Sequence, residues 1–219
     1  MTDHSAAPPQ RVGVFGGAFD PPHWAHRRLA QAALAQLQLD RLHILPTGQA
    51  WHKTRQLLPA AHRVAMCQHA FADLPQVVID EREIRRQGPS YTADTLQELA
   101  AAYPQARLYL VLGADQLLAF KTWQRWPEVL QKATLAVANR PMHLGADRAD
   151  AHDLALAEAD LNAVDIPFVR LDMALQPTSS TAIRAHVHGQ SRRFPDLDVL
   201  VPAGVARYIS EHHLYETPT

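Results

Sequence analysis

Cysteine is nearly absent: Cys67 is the only one in 219 residues. One thiol can neither close an internal disulfide nor supply a thiolate zinc cluster, and a reducing cytoplasm fits. Excess charge is missing too. With 21 basic and 22 acidic side chains the formal charge is −1, so no global basic field points to nucleic acid. No apolar run approaches the roughly 20 residues that a membrane-spanning helix needs. The first ten residues, MTDHSAAPPQ, lack the charged and apolar regions of a secretory signal. The expectation is a cytoplasmic protein with no membrane or nucleic-acid partner. What is present is ordinary globular usage, 47% hydrophobic and 20% charged, in a chain long enough for one domain with a sizeable core.

Strand-like and helix-like stretches alternate along the chain. RVGVF (11–15) reads as a short strand broken by Gly16-Gly17. From His23 to Leu39 the Ala, Leu and Gln content favours helix, with Leu29, Ala33 and Leu37 on one stripe. RLHILP (41–46) is a second strand, followed by the loop TGQAWHKTRQ and a helix over about Pro59 to Phe71. QVVID (76–80) is a third strand, and DERE (80–83) reads as its solvated end. A helix follows from Thr92 to about Ala102, with an acidic residue in its first turn. RLYLVLG (107–113) has the continuous apolar character of a central strand. TLAVANRP (134–141) and IPFVRLD (166–172) complete the strand set, and two helices close the chain over about 180–188 and 202–213. Residues 142–163 are rich in Ala, Asp and His and read as a surface excursion, with tails at 1–10 and 215–219.

Such alternation implies right-handed crossovers and a mostly parallel, doubly wound, Rossmann-like α/β sheet with helices on both faces, here as one domain. Ligands of such sheets sit beyond the carboxyl ends of the strands, at a topological switch point. GGAFDPPH, TGQAWHK, DEREIRRQGPSYT, GADQL, NRP and QPTSSTAIR all follow strands, so they are expected on one rim.

The stretch GVFGGAFDPPHWAH (13–26) carries His23 and His26. Zinc is a poor reading of this pair. The zincin pattern needs histidines four apart with a Glu between them, and here the spacing is three with no Glu. The dinucleotide pattern G-x-G-x-x-G is also missing. Phosphate fits better. Glycines at a strand end let backbone approach a ligand, and a helix starting near His23 aims free N–H groups and a positive dipole end at the same place. The same spacing also fits a His23 that merely caps the helix and a His26 packed beneath the sheet. TSSTAIR (178–184) places Ser179, Ser180 and Thr181 at a helix start, where such residues often serve as caps. Arg184 follows Ser180 by one turn, and hydroxyls, free N–H groups and a guanidinium at one helix end suit a polyphosphate. Two such ends on one rim point to a nucleoside triphosphate.

These residues resemble the nucleotidyltransferase superfamily, whose marks are His-x-x-His after a Gly-rich strand end and Ser-Ser/Thr-x-x-Arg near the C-terminus. The sequence is most similar to the bacterial nicotinate-nucleotide adenylyltransferases. It carries His52-Lys53 after the second strand, PSYTADTL over 89–96, GADQLLAFKTW over 113–123 and Arg140-Pro141, in the family's order. It departs at Ala18, where the family usually has Ser or Thr, at Ala25, where Gly is usual, and at Ala50-Trp51, where Pro-Pro is frequent.

The resemblance implies adenylyl transfer from ATP to nicotinate mononucleotide, a step of NAD biosynthesis, with Mg²⁺ carried on ATP and no resident metal. It implies catalytic roles for His26, His23 and Arg184. It places ATP against Gly16, Gly17, Ala18, Phe19, Gly113, Asp115, Arg140, Ser179, Ser180 and Thr181, with the two histidines and Arg184. It assigns the acceptor to His52, Lys53, Tyr91, Thr92 and Trp123. Without the resemblance Trp123, beside Trp126, reads first as surface packing, and Asp115 reads also as a helix cap. Asp20, before Pro21-Pro22, reads as fixing the turn. The alternatives are a sister transferase taking nicotinamide mononucleotide or phosphopantetheine, and a non-catalytic nucleotide sensor. Ser90-Tyr91-Thr92 and Trp123 argue against phosphopantetheine.

Overall fold

In the computed structural model residues 10–48, 57–138, 164–173, 178–189 and 197–216 are described. The elements run β1 (Arg11–Gly17), α1 (Trp24–Gln36), β2 (Arg41–Pro46), α2 (Ala60–Phe71), β3 (Val77–Ile79), α3 (Arg82–Arg85), α4 (Thr92–Ala102) and β4 (Arg107–Gly113). There follow α5 (Ala114–Leu118), a 3-10 turn (Phe120–Thr122), α6 (Trp126–Lys132), β5 (Ala133–Ala138), β6 (Phe168–Leu171), α7 (Ser180–Gly189) and α8 (Ala203–Glu211). The six strands form one sheet in the order β3-β2-β1-β4-β5-β6, parallel throughout. This is the doubly wound α/β architecture that the alternating pattern implies.

Side-chain alternation along the central strands builds two cores. Leu108, Leu110 and Leu112 of β4 and Val12 and Val14 of β1 face one layer, with Leu96, Leu99, Phe120 and Val129 from α4, the 3-10 turn and α6. Tyr109 and Val111 of β4 and Phe15 of β1 face the other, with Ala30 and Ala33 of α1, Met66 and Ala70 of α2, Ile183 of α7 and Val205 of α8. Strands covered on both sides need apolar residues at every position, hence the unbroken run in RLYLVLG. Among the described residues, no helix is long and apolar enough to cross a membrane.

The differences from the sequence reading have local causes. The first strand does not break at the glycines: Gly16 pairs with Leu45 and Gly17 with Pro46, so the ladder continues where side chains stop. The first helix ends at Gln36, because Gln38 turns into the left-handed region (φ 49°). The last strand is shorter than expected, Phe168–Leu171. Residues 142–163 and the end of the expected 134–141 strand lie outside the described residues.

DERE is not a solvated strand end. Asp80 accepts from His43 Nδ1 at 2.7 Å and from Arg82 Nε at 2.9 Å, and its side chain is only 11% exposed. Burial works to raise its pKa, but the bonds from His43 and Arg82 win and hold it well below the usual carboxylate range. Glu83 lies in α3, where its carboxyl is bonded to Thr95 Oγ1 at 2.9 Å. Burial pushes its pKa up, against the opposing pull of Thr95 and Arg86.

Candidate active site

The sheet opens where the chain changes direction. β1 stays paired with β2 out to Gly17↔Pro46, and β4 with β5 out to Gly113↔Ala138. The β1–β4 ladder stops earlier, at Val14↔Leu110. Beyond it the carboxyl ends of β1 and β4 bond only to their outer neighbours, which is the crevice of a topological switch point. Gly16 sits at this edge. Val12 to Phe15 are buried, Gly16 is exposed, and a Cβ built on it meets nothing within 4 Å among the described residues. None of these fills that space, so a ligand can reach the backbone there.

The loop after β1 turns inward before it delivers α1. Phe19 has φ 47°, and its ring is 1% exposed. The ring stands edge-on to Phe15 at 5.4 Å and to His26 at 5.0 Å. Phe19 thus offers a ligand backbone only, while its side chain sets the floor under His26. His23 is the N-cap of α1. Its N–H donates to His26 Nδ1 at 3.3 Å, and the two rings stack with centroids 3.8 Å apart. With Nδ1 accepting, a neutral His26 carries its proton on Nε2, as a donor. The first turn of α1 holds no acidic residue, so its positive end is not offset from within.

The second helix start meets this loop from about 160 positions along the chain. Ser179 Oγ accepts from the Ala182 N–H at 3.2 Å and caps α7. Ser180 Oγ donates to the Pro21 carbonyl at 2.9 Å. Arg184 Nη1 donates to the Asp20 carbonyl at 2.8 Å and Nη2 to Thr181 Oγ1 at 3.1 Å. The first turn of α7 also lacks an acidic residue. The two motifs therefore share one rim: His23, His26, Ser180 and Arg184 are joined through residues 20–23.

The remaining residues lie around this centre. Gly113 caps α5, and an Asp115 carboxylate oxygen leans to 2.8 Å from the position of a Cβ on Gly113. Tyr91 is the N-cap of α4 and Thr92 its first residue. Ser90 Oγ donates to the Glu83 carbonyl at 3.2 Å and holds that helix start against α3. Asp94, in the first turn of α4, is ion-paired to Arg125. Trp123 is half-buried and packs on Phe120 at 5.3 Å, in the α4–α6 layer. His52, Lys53, Arg140 and the Ala50-Trp51 pair fall outside the described residues. Among the described residues, no group of three or more His, Cys, Asp or Glu is placed to hold a metal ion.

The sequence reading missed Arg63, which is 3% exposed. Its Nη1 donates to the Ala18 carbonyl at 3.0 Å, Nη2 to Thr47 at 2.8 Å and Nε to Leu58 at 3.0 Å. One guanidinium thus ties together the loop after β1, the loop after β2 and the approach to α2. The available signal was a charge on a buried stripe, since Arg63, Met66, Cys67 and Ala70 share one face of α2.

A switch-point crevice flanked by two helix starts, with imidazole, hydroxyl and guanidinium donors and no acid in either first turn, suits a nucleotide polyphosphate. It defines a nucleotide-binding α/β transferase, and the cytidylyltransferase-like family model matches residues 14–186. The chain is 51% identical to a probable nicotinate-nucleotide adenylyltransferase of Albidiferax ferrireducens, over 95% of this chain and 99% of that one. It is 36% identical to the corresponding protein of Pseudomonas aeruginosa, over 95% and 99%. The chain belongs to the nicotinate-nucleotide adenylyltransferase family. Its fold matches the Plasmodium falciparum nicotinic acid mononucleotide adenylyltransferase, solved with APC and with NaAD. The TM-scores are 0.68 and 0.67 at 16% identity, covering 94% of this chain and 97% of that one.

Proposed function

We propose that this chain transfers the adenylyl group of ATP to nicotinate mononucleotide, giving nicotinate adenine dinucleotide and pyrophosphate. The observation that carries the reading is the union of the two helix starts, His23 and His26 with Ser180 and Arg184, over the crevice between β1 and β4. Family membership supplies the choice of substrates.

A phosphate oxygen of the mononucleotide attacks the α-phosphorus of ATP, and the bond from that phosphorus to the bridging β-oxygen breaks. The electron pair leaves with pyrophosphate. The nucleophile needs no base, because a phosphate monoester has a second pKa of about 6 and is already ionised near neutrality. The protein's task is alignment and charge stabilisation. His26 donates from Nε2 to the α-phosphate oxygens as charge builds. His23 and the backbone at Gly16 and Gly17 hold phosphate beside it. The N-terminus of α7, Ser180 and Arg184 take the β/γ end. Mg²⁺ arrives as part of the MgATP substrate and offsets charge on its phosphates. The start of α4 at Tyr91-Thr92 receives the nicotinate carboxylate, with Asp94 already offset by Arg125, and Trp123 offers a face to the pyridine ring. His52 and Lys53 serve the acceptor phosphate, Arg140 and Asp115 the adenosine side. A cytoplasmic setting belongs to the proposal, and the single buried thiol is suited to it.

The test is a side-by-side assay of acceptors with MgATP. Nicotinate mononucleotide should outrun nicotinamide mononucleotide by at least tenfold in kcat/KM, with phosphopantetheine inert. A preference for the amide would overturn the acceptor assignment. Nucleotide binding without pyrophosphate release would support the sensor instead.

A further inference from the structure

The proposed mechanism leaves unused a fully buried carboxylate three residues before His23. Asp20 is 0% exposed. A buried carboxylate beside a polyanion site is costly unless donors take its oxygens. Tyr215 Oη donates to Oδ1 at 2.7 Å, and the Leu58 N–H lies 3.4 Å from Oδ2. The sequence reading put Tyr215 at the start of a C-terminal tail. Instead its side chain packs, partly buried, against the core, and its backbone takes φ 65°, a left-handed conformation uncommon for a bulky residue. Other anchors of the same loop also come from late in the chain: Ser180 on Pro21, and the Leu200 carbonyl accepting from the Trp24 N–H at 3.3 Å. Asp20 holds the Arg184 guanidinium on its carbonyl as well.

We infer that Tyr215 and Asp20 form a positioning pair. The phenol hydrogen-bonds the buried carboxylate and fixes the loop that sets His23 and His26 against Arg184. The C-terminal segment is thereby a working part of the site, although neither residue touches a reacting atom. The kinetic consequence rests on the adenylyl-transfer reading, whereas the geometric one does not.

The experiment uses the full chain with Tyr215→Phe, Asp20→Asn and the double variant. Asn keeps the shape but replaces the charged acceptor with a weaker neutral one, so it carries the test if the phenylalanine variant fails to fold. Each single variant should lower kcat on the order of 10-fold through misplacement of the donors, with KM for ATP within twofold. The double variant should be no worse than the worse single, because Tyr215→Phe removes and Asp20→Asn weakens the same interaction. Imidazole NMR signals of His23 and His26 should shift in each variant, while those of His43, in its own network with Asp80, should not. The proposal is overturned by full kcat in folded Tyr215→Phe, by losses that multiply in the double variant, or by unmoved His23 and His26 signals. If wild type shows no adenylyl transfer, the functional reading fails and the NMR arm still decides the pair.

Discussion

Replacing His26 by alanine isolates the one donor assigned to the transition state. The His23 N–H occupies Nδ1, so the group lost to substrate is the Nε2–H. A donor aimed at charge that develops during reaction is worth on the order of 10²–10³ in kcat, or about 2.7–4 kcal/mol. The variant also removes the His26 Nδ1 acceptor of the His23 N–H at the start of α1 and the ring above Phe19. That should cost about 1 kcal/mol of stability, a fall of about 2–4 °C in Tm for a chain of this size. So small a loss leaves the protein folded at assay temperature and cannot account for a hundredfold drop. Steady-state pyrophosphate release should therefore show kcat reduced by 10²–10³, with KM for ATP changed only a few-fold. A folded variant retaining kcat within about threefold of wild type would refute the assignment of His26.

Other consequences follow from the same geometry. Asp80 is held below its unfolded pKa of about 3.9, so its contribution is full above that value and drains as the pH falls through the lower folded value. Urea unfolding between pH 5 and 2 should show this loss setting in below about pH 4, and Asp80→Asn should cost about 2 kcal/mol near neutrality while flattening the acid dependence. Burial pushes the Cys67 thiol up, so maleimide should label it only on unfolding; rapid labelling of the native protein would contradict its place on the buried face of α2. The two serines of α7 should separate in effect. Ser179→Ala removes a helix cap and should lower stability by about 1 kcal/mol with kcat nearly kept, whereas Ser180→Ala frees Pro21 and should show chiefly in kcat.

Much of the fold was legible because its central strands are covered on both faces. RLYLVLG carries that burial as a continuous apolar run and RLHILP as one interrupted by the buried His43, and both strands match the reading from end to end. The helix at Thr92–Ala102 was equally legible, with its polar start and an apolar face of Ala93, Leu96 and Leu99. Short elements were not. The helices Arg82–Arg85 and Ala114–Leu118 span little more than one turn, too few residues to show a helical period. The site was legible as two motifs, His-x-x-His and Ser-Ser-Thr-x-x-Arg, because helix starts announce themselves locally. What joins them was not, since Ser180 to Pro21 and Arg184 to Asp20 span 159 and 164 positions. Arg63 and Tyr215 act through such long-range bonds. Single-residue patterns therefore presented them as an ordinary helix residue and an ordinary tail residue.

The central claim is that an acceptor phosphate takes the α-phosphoryl group of ATP with its adenosine attached. Purified protein given MgATP labelled at the α-phosphorus, with nicotinate mononucleotide, tests this most directly. The account predicts label in the dinucleotide, matched mole for mole by unlabelled pyrophosphate, and no turnover without the acceptor. Label released as AMP, or consumption of ATP that ignores the acceptor, would contradict it.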